Sequence, residues 1–129
     1  MRGMHVHFCH ADYLIVIGGE MQLGLCDIRP DSADFGAREI ISLSGDKLSW
    51  VHIRPGILHG FYTPRSSTIV WGLSHGWDMD DEFGCQWNDP DLALNWPVID
   101  DPLVSGRDAG YGSYSQLLRQ YKELYASEK

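Results

Sequence analysis

The feature that most constrains the fold is a run of short, apolar or alternating segments over the first 73 residues, separated by turn residues. Turn signals include Gly18-Gly19 and Arg54-Pro55-Gly56. Many short strands at such spacing indicate an antiparallel sandwich or barrel rather than alternating strands and helices. We expect strands at residues 4–9, 13–17, 21–27, 39–43, 48–53, 58–62 and 68–73.

The pattern changes after residue 74. Residues 74–112 lack periodicity and are predicted to be ordered loops wrapped on the barrel, because their tryptophans need burial. Residues 113–127 show apolar side chains at helical spacing, and Ser113 with Gln116 forms a capping-box signal, so a helix packed against the barrel is expected. The length of 129 residues predicts a single domain, 1–129, with its barrel core at about 4–73.

Charge and cysteine content bound the partners and the compartment. The formal net charge of −8 argues against nucleic acid or an anionic membrane as a partner, since both require a cationic surface. No segment has the length of a membrane span or the form of a signal peptide. Three cysteines in no close pair are expected to be reduced thiols in a cytoplasmic protein.

The histidines carry the main chemical signal. On a strand over residues 4–9, alternation places His5, His7 and Cys9 on one face, and the opposite face consists of Met4, Val6 and Phe8. We expect this apolar face to be buried in a homodimer. A Pro-Gly turn leads His59 into another strand that can run beside the first.

Two mechanisms compete for these histidines. The first is metal binding, because the spacing of His5, His7, Asp12 and His59 resembles the paired metal motifs of cupins, and imidazoles with a carboxylate suit one divalent transition metal. The second is metal-free abstraction of a proton next to a ketone by a histidine base, which needs an orienting carboxylate. Asp108 is a candidate for that carboxylate.

Beyond these patterns, the chain resembles the dTDP-4-dehydrorhamnose 3,5-epimerase family, a branch of the cupins, over nearly its whole length. The matching segments are Arg2-Gly3-Met4-His5, Gly19-Glu20, Asp27-Ile28-Arg29-Pro30, Phe35-Gly36, Ile53-Arg54-Pro55-Gly56, His59-Gly60-Phe61, Trp87-Asn88-Asp89-Pro90, Asn95-Trp96-Pro97 and Ser105-x-x-Asp108-Ala109.

The resemblance implies an all-β cupin barrel (a jelly roll) with a C-terminal helix. It implies His5 as the general base, Asp108 as its orienting partner, and Arg2 and His59 in the sugar-nucleotide site. It also implies that no cofactor is needed. We expect His5, His7, His59, Tyr62 and Trp71 to converge on one cavity.

Three departures from the family pattern affect this interpretation. Asp12 stands where the family has a lysine that helps stabilise the enolate. Trp71 stands where it has a tyrosine that returns a proton, and Tyr13 or Tyr62 are the candidate substitutes. The family carries further sequence, with nucleotide contacts, before the segment at which this chain begins. We expect either a naturally short, divergent relative or a truncated piece of a longer one.

The sequence therefore predicts a nucleotide-sugar epimerase-like protein that abstracts a proton next to the ketone of a 4-keto-6-deoxy sugar nucleotide. Its expected partners are a small-molecule nucleotide sugar and a second copy of the chain. Two alternatives are a metal-dependent cupin of the isomerase or dioxygenase type and a non-catalytic sugar-binding cupin.

Overall fold

The computed structural model describes residues 1–97 and 100–127 and shows a mostly β architecture with a C-terminal helix. All seven predicted strands are present, together with a short eighth strand that was not predicted. The strands are β1 (Arg2–Val6), β2 (Asp12–Gly18), β3 (Glu20–Asp27), β4 (Arg38–Ser44), β5 (Val51–Ile53), β6 (Ile57–Tyr62), β7 (Thr68–Leu73) and β8 (Phe83–Gly84). The helices are α1 (Gly106–Ala109) and α2 (Tyr114–Ser127).

The strands form two antiparallel sheets, as the turn spacing predicted. One sheet has five strands in the order β4-β3-β6-β1-β8, and the other has three in the order β5-β2-β7. A core cluster that includes Leu14, Val16 and Leu23 brings inward-facing side chains of both sheets together. This burial follows from strand alternation, which turns every second side chain of β2 and β3 inward.

A second core lies beneath α2 and corrects one prediction. Met4 and Val6 are fully buried within the single chain, in a cluster that contains Leu117 and Tyr121 of α2. The prediction that this face of β1 is buried in a homodimer is therefore wrong, because the protein's own helix covers it. The reason is that the apolar stripe of α2 packs on the apolar face of β1, so that each buries the other from water.

The predicted helix start is confirmed in detail. The Ser113 backbone N–H donates to Gln116 Oε1 at 2.8 Å, and the Gln116 N–H donates to Ser113 Oγ at 3.3 Å. These reciprocal bonds are a capping box. They begin α2 directly after the loop that carries α1.

The polar face predicted for residues 4–9 is only partly correct. β1 ends at Val6, and the chain then turns, so alternation no longer applies to the residues that follow. His5 and His7 both reach the cavity described below, whereas Cys9 is exposed elsewhere.

The expected burial of the loop tryptophans holds for Trp87 and Trp96 but not for Trp77. Trp87 and Trp96 pack against the second core, as predicted, with their ring centroids 6.5 Å apart. Trp77 is 53% exposed, and its Nε1 donates to Glu82 at 2.9 Å. In the described ranges, no helix has the length and apolar character needed to cross a membrane.

Candidate functional site

The cavity of interest opens between the two sheets and has a volume of about 290 Å³. Strand pairing explains why it forms here, since His5 of β1 lies directly opposite His59 of β6 in the antiparallel register. The predicted neighbourhood of these two strands is thus confirmed. Of the residues singled out from sequence, those lining the cavity are Arg2, His5, His7, Asp12, His59 and Trp71.

Tyr62 is not among the residues that line the cavity. His59 and Phe61 of the same strand do line it, and alternation directs the side chain of Tyr62, which follows Phe61, to the opposite face. Tyr13 likewise follows Asp12 on β2 and is stacked on His52, with ring centroids 4.6 Å apart. Neither tyrosine therefore reaches the cavity as a substitute acid.

A buried carboxylate meets His5 at the cavity wall. His5 Nε2 lies 2.6 Å from Asp108 Oδ1, and Asp108 is fully buried. The Gly3 N–H donates to Asp108 Oδ2 at 3.2 Å, and Ser105 Oγ caps α1 by accepting from the Asp108 N–H at 3.1 Å. The short helix thus holds the carboxylate in one position, 103 residues along the chain from the imidazole that it contacts.

The second nitrogen of His5 faces another ion pair. His5 Nδ1 lies 3.5 Å from Glu82 Oε1, and Arg107 Nη2 lies 2.8 Å from the same oxygen. Glu82 and Arg107 both line the cavity. Because Asp108 accepts the Nε2–H, we infer that Nδ1 carries the lone pair able to receive a proton.

Burial sets the protonation states of this pair. Burial lowers the pKa of His5, and the hydrogen bond to Asp108 offsets this only in part. Burial alone would raise the pKa of Asp108, but the hydrogen bonds from His5 and Gly3 outweigh it and hold the pKa below its usual value. A neutral imidazole beside an ionised carboxylate is the resting state that a general base needs.

Deeper in the cavity, Asp12 is surrounded by imidazoles. Its Oδ2 lies 3.1 Å from His59 Nε2 and 3.5 Å from His7 Nε2, and its Oδ1 lies 3.7 Å from His10 Nε2. Burial acts to raise the pKa of Asp12, but contacts with His59 and Trp71 outweigh it and lower the pKa below its usual value.

This arrangement corrects the predicted metal set of His5, His7, Asp12 and His59. The described ligand atoms that lie close enough together to hold an ion belong to His7, His10 and Asp12. His5 is engaged by Asp108 instead. The reason is the turn after Val6, which directs His10 inward and was not visible in a strand pattern.

Several site residues were not predicted. Asp81 ends a 3-10 helix (Met79–Asp81), Glu82 follows it, and Arg107 lies in α1. In the sequence, nothing distinguished these three residues from solvated surface charges. The one sequence signal for a larger histidine cluster was that His10 lies within a few residues of His5 and His7. Asp81 organises that turn, since its carboxylate accepts from the Phe8 N–H at 2.7 Å and lies 3.0 Å from His10 Nδ1.

The sequence matches a known family over most of its length. Residues 1–116 match the family described as dTDP-4-dehydrorhamnose 3,5-epimerase. A curated relative of that name from Mycobacterium tuberculosis is 28% identical over 123 residues, which cover 91% of this chain and 61% of the relative. The chain thus spans about three fifths of the length of the curated relatives that it matches first.

Solved structures agree with the sequence match. The Mycobacterium tuberculosis rmlC epimerase superimposes with a TM-score of 0.86 at 26% identity, over 93% of this chain and 63% of that one. ChmJ, a 3'-monoepimerase from Streptomyces bikiniensis in complex with dTDP-quinovose, gives a TM-score of 0.82 at 26% identity, over 95% and 62%. The predicted cupin-type barrel is confirmed by this likeness.

Proposed function

The chain belongs to the dTDP-4-dehydrorhamnose 3,5-epimerase family, and we propose that it abstracts a proton next to the ketone of a 4-keto-6-deoxy sugar nucleotide. The observation that carries the proposal is the 2.6 Å contact between His5 Nε2 and buried Asp108, with the imidazole on the wall of a cavity. The relatives and neighbours described above act on dTDP-linked sugars by their names, and the sugar class is taken from them.

The proposed step moves one proton and one electron pair. His5 Nδ1 takes the proton from the carbon beside the ketone, and the pair of the broken C–H bond forms the C=C bond of an enolate, with negative charge on the former carbonyl oxygen. Asp108 stabilises the imidazolium through Nε2–H, and Glu82 lies 3.5 Å from the newly protonated Nδ1. Return of a proton to the same carbon completes the exchange.

Substrate contacts are proposed for Arg2, His59 and Trp71, which line the cavity. Arg2 and Arg107 supply positive charge for the diphosphate of a nucleotide sugar. Tyr62 is not proposed for this role, because it does not line the cavity.

Compartment and assembly are proposed on separate grounds. The cytoplasm is supported by the two buried cysteines, Cys26 and Cys85, neither of which is in a disulfide. A homodimer is supported by a different face from the one first predicted. Tyr13, Ile17 and Val70 on the outer face of the three-stranded sheet are 40%, 49% and 45% exposed.

Deuterium exchange tests the proposed step. Incubation of dTDP-4-keto-6-deoxyglucose with the protein in heavy water should place deuterium next to the ketone, measured by NMR. His5→Ala should slow uptake by about 10²- to 10⁴-fold, the usual contribution of a general base. Asp108→Asn should slow it strongly as well, since an amide cannot stabilise the imidazolium.

Matched controls come from the exposed surface. His52→Ala and Asp46→Asn make the same chemical changes at exposed positions outside the cavity and should leave uptake unchanged. Two results would contradict the proposal. One is deuterium uptake with the wild-type protein that is no faster than uptake in buffer alone. The other is uptake that neither His5→Ala nor Asp108→Asn slows. In that case a sugar-binding role would be favoured if the nucleotide sugar still bound.

A further inference from the structure

The histidines at the buried end of the cavity are all oriented by acceptors outside the cluster. His7 Nδ1 lies 3.1 Å from the Asp81 carbonyl, and His10 Nδ1 lies 3.0 Å from the Asp81 carboxylate. His59 Nδ1 lies 3.0 Å from the Ile57 carbonyl. Since carbonyl and carboxylate oxygens only accept, each Nδ1 carries a hydrogen, and the Nε2 of each imidazole that is neutral presents a lone pair toward the cluster.

Three imidazole Nε2 atoms then face Asp12, which also has a contact with the side chain of Trp71. The three Nε2 atoms of His7, His10 and His59 lie 3.5, 3.7 and 3.1 Å from its carboxylate oxygens. The ligand atoms of His7, His10 and Asp12 all lie within 4.8 Å of one another. Lone pairs and an anionic carboxylate at these separations repel unless a proton or a metal cation lies among them.

Two of these atoms face each other at 3.7 Å but make no hydrogen bond within the described part of the chain. His10 Nε2 and Asp12 Oδ1 are buried without a hydrogen bond to any described residue, in side chains that are each 2% exposed. An unsatisfied buried polar atom is unfavourable, because it has lost its contact with water and gained no hydrogen bond in return. Two such atoms, both directed into the same cluster, indicate that a bound species supplies their missing interactions.

From these contacts we propose that His7, His10 and Asp12 bind one divalent transition metal ion. Imidazole nitrogens and a carboxylate are the donors that zinc, iron, nickel and manganese accept. The Nδ1 contacts of His7 and His10 with Asp81 are the outer contacts that usually orient metal-binding histidines. The alternative to a metal ion is a second proton on one of these imidazoles, which would also neutralise the repulsion.

The consequence for chemistry rests on the proposed function. Charge develops on the substrate oxygen during proton abstraction, yet Asp12 and Glu82 place carboxylates on the cavity wall. No lysine is among the described residues that line it, and Arg107 is paired with Glu82. A divalent cation at Asp12 would reverse the local sign of charge and favour an enolate in the cavity.

Metal binding is tested without reference to activity. The protein is produced without an affinity tag that binds metal, stripped with chelator, dialysed against Zn²⁺ and measured by elemental analysis. We expect one zinc ion per chain, a raised thermal midpoint of unfolding, and loss of stoichiometric zinc in His10→Gln and Asp12→Asn. His5→Ala and His52→Ala should retain the zinc, because their imidazoles lie outside the proposed ligand set.

Asp81→Asn provides a second, milder variant. It weakens the contact to His10 Nδ1 without removing a ligand, so zinc affinity should fall by about 10- to 100-fold. Circular dichroism checks that each variant is folded; if His10→Gln is not, His7→Gln takes its place in the comparison.

Two outcomes would overturn the inference: less than about one zinc ion per five wild-type chains, or stoichiometric zinc that His10→Gln and Asp12→Asn both retain. Its failure is distinguishable from failure of the proposed function. Deuterium uptake by chelator-stripped protein with no zinc binding would remove the metal site and leave the His5 mechanism intact. Stoichiometric zinc without deuterium uptake would retain the site and remove the epimerase-type reaction.

Discussion

At the scale of single residues, three buried carboxylates share one principle. Burial alone would raise the pKa of Asp27, Asp12 and Asp108, but directed hydrogen bonds outweigh it and hold each pKa below its usual value. Asp27 is the case farthest from the cavity. It accepts from Arg29 Nε at 3.0 Å and from Ser32 Oγ at 2.7 Å.

The Asp27 contacts predict a pH-dependent loss of stability. The pKa of Asp27 in the folded protein is below its ordinary value of 3.8, so its stabilisation is complete above that value and is lost as the pH falls through the folded pKa. Asp27→Asn should lower the free energy of unfolding by about 1–2 kcal/mol at pH 7, and the difference from wild type should shrink below about pH 4.

Urea unfolding of both proteins between pH 7 and the lowest pH at which they remain folded provides the measurement. Asp46→Asn, at an exposed position, is the matched control and should show no such trend. A difference between Asp27→Asn and wild type that stays constant over this range would show that ionisation of Asp27 contributes nothing.

At the scale of elements, α2 takes the place that a partner subunit was expected to occupy. Its buried residues Leu117 and Tyr121 share a cluster with Met4 and Val6 of β1, the strand that carries His5. The helix therefore supports the strand on which the proposed base lies. One face of β1 packs against α2, and the other carries His5 into the cavity, so a loss of helix packing is expected to disturb the position of His5.

Leu117→Ala should destabilise the protein by about 2–5 kcal/mol, because it opens a cavity beneath β1. Chemical denaturation followed by circular dichroism measures the loss. Arg119→Ala, on the exposed side of the same helix, should change stability by no more than about 0.5 kcal/mol. Equal effects of the two substitutions would mean that α2 does not contribute its packing to the barrel.

At the scale of the whole molecule, the exposed apolar patch lies on the outer face of the three-stranded sheet. Ile15 and Val70 are cross-strand neighbours in β2 and β7, and Tyr13 and Ile17 lie on the same face of β2. Large apolar patches on soluble proteins usually mark interaction sites. We therefore predict a homodimer that buries this face rather than the apolar face of β1.

Sedimentation at micromolar concentration should show a dimer that Val70→Lys or Ile17→Lys converts to monomer. Leu103→Lys is the control, since Leu103 is 91% exposed but lies outside the sheet. A wild-type monomer, or a dimer that survives both sheet substitutions and remains folded, would contradict this assignment of the interface.

The sequence by itself determined the strands, the antiparallel barrel, the helix with its capping box, the family and the pairing of His5 with Asp108 through the family's motifs. These features are encoded locally, because alternation, helical spacing and turn residues act between near neighbours in the chain. Family motifs also predict contacts between distant residues, such as His5 and Asp108, but only for residues that match a motif of the family.

The tertiary structure alone decided which residues surround Asp12, that α2 covers the apolar face of β1, and that Tyr62 does not line the cavity. His10 and Asp81 are 71 residues apart, and Asp12 and His59 belong to different sheets. Such contacts depend on where a turn directs the chain after a strand ends. The turn after Val6 is stabilised by an aspartate from a distant loop, so no local pattern predicts it.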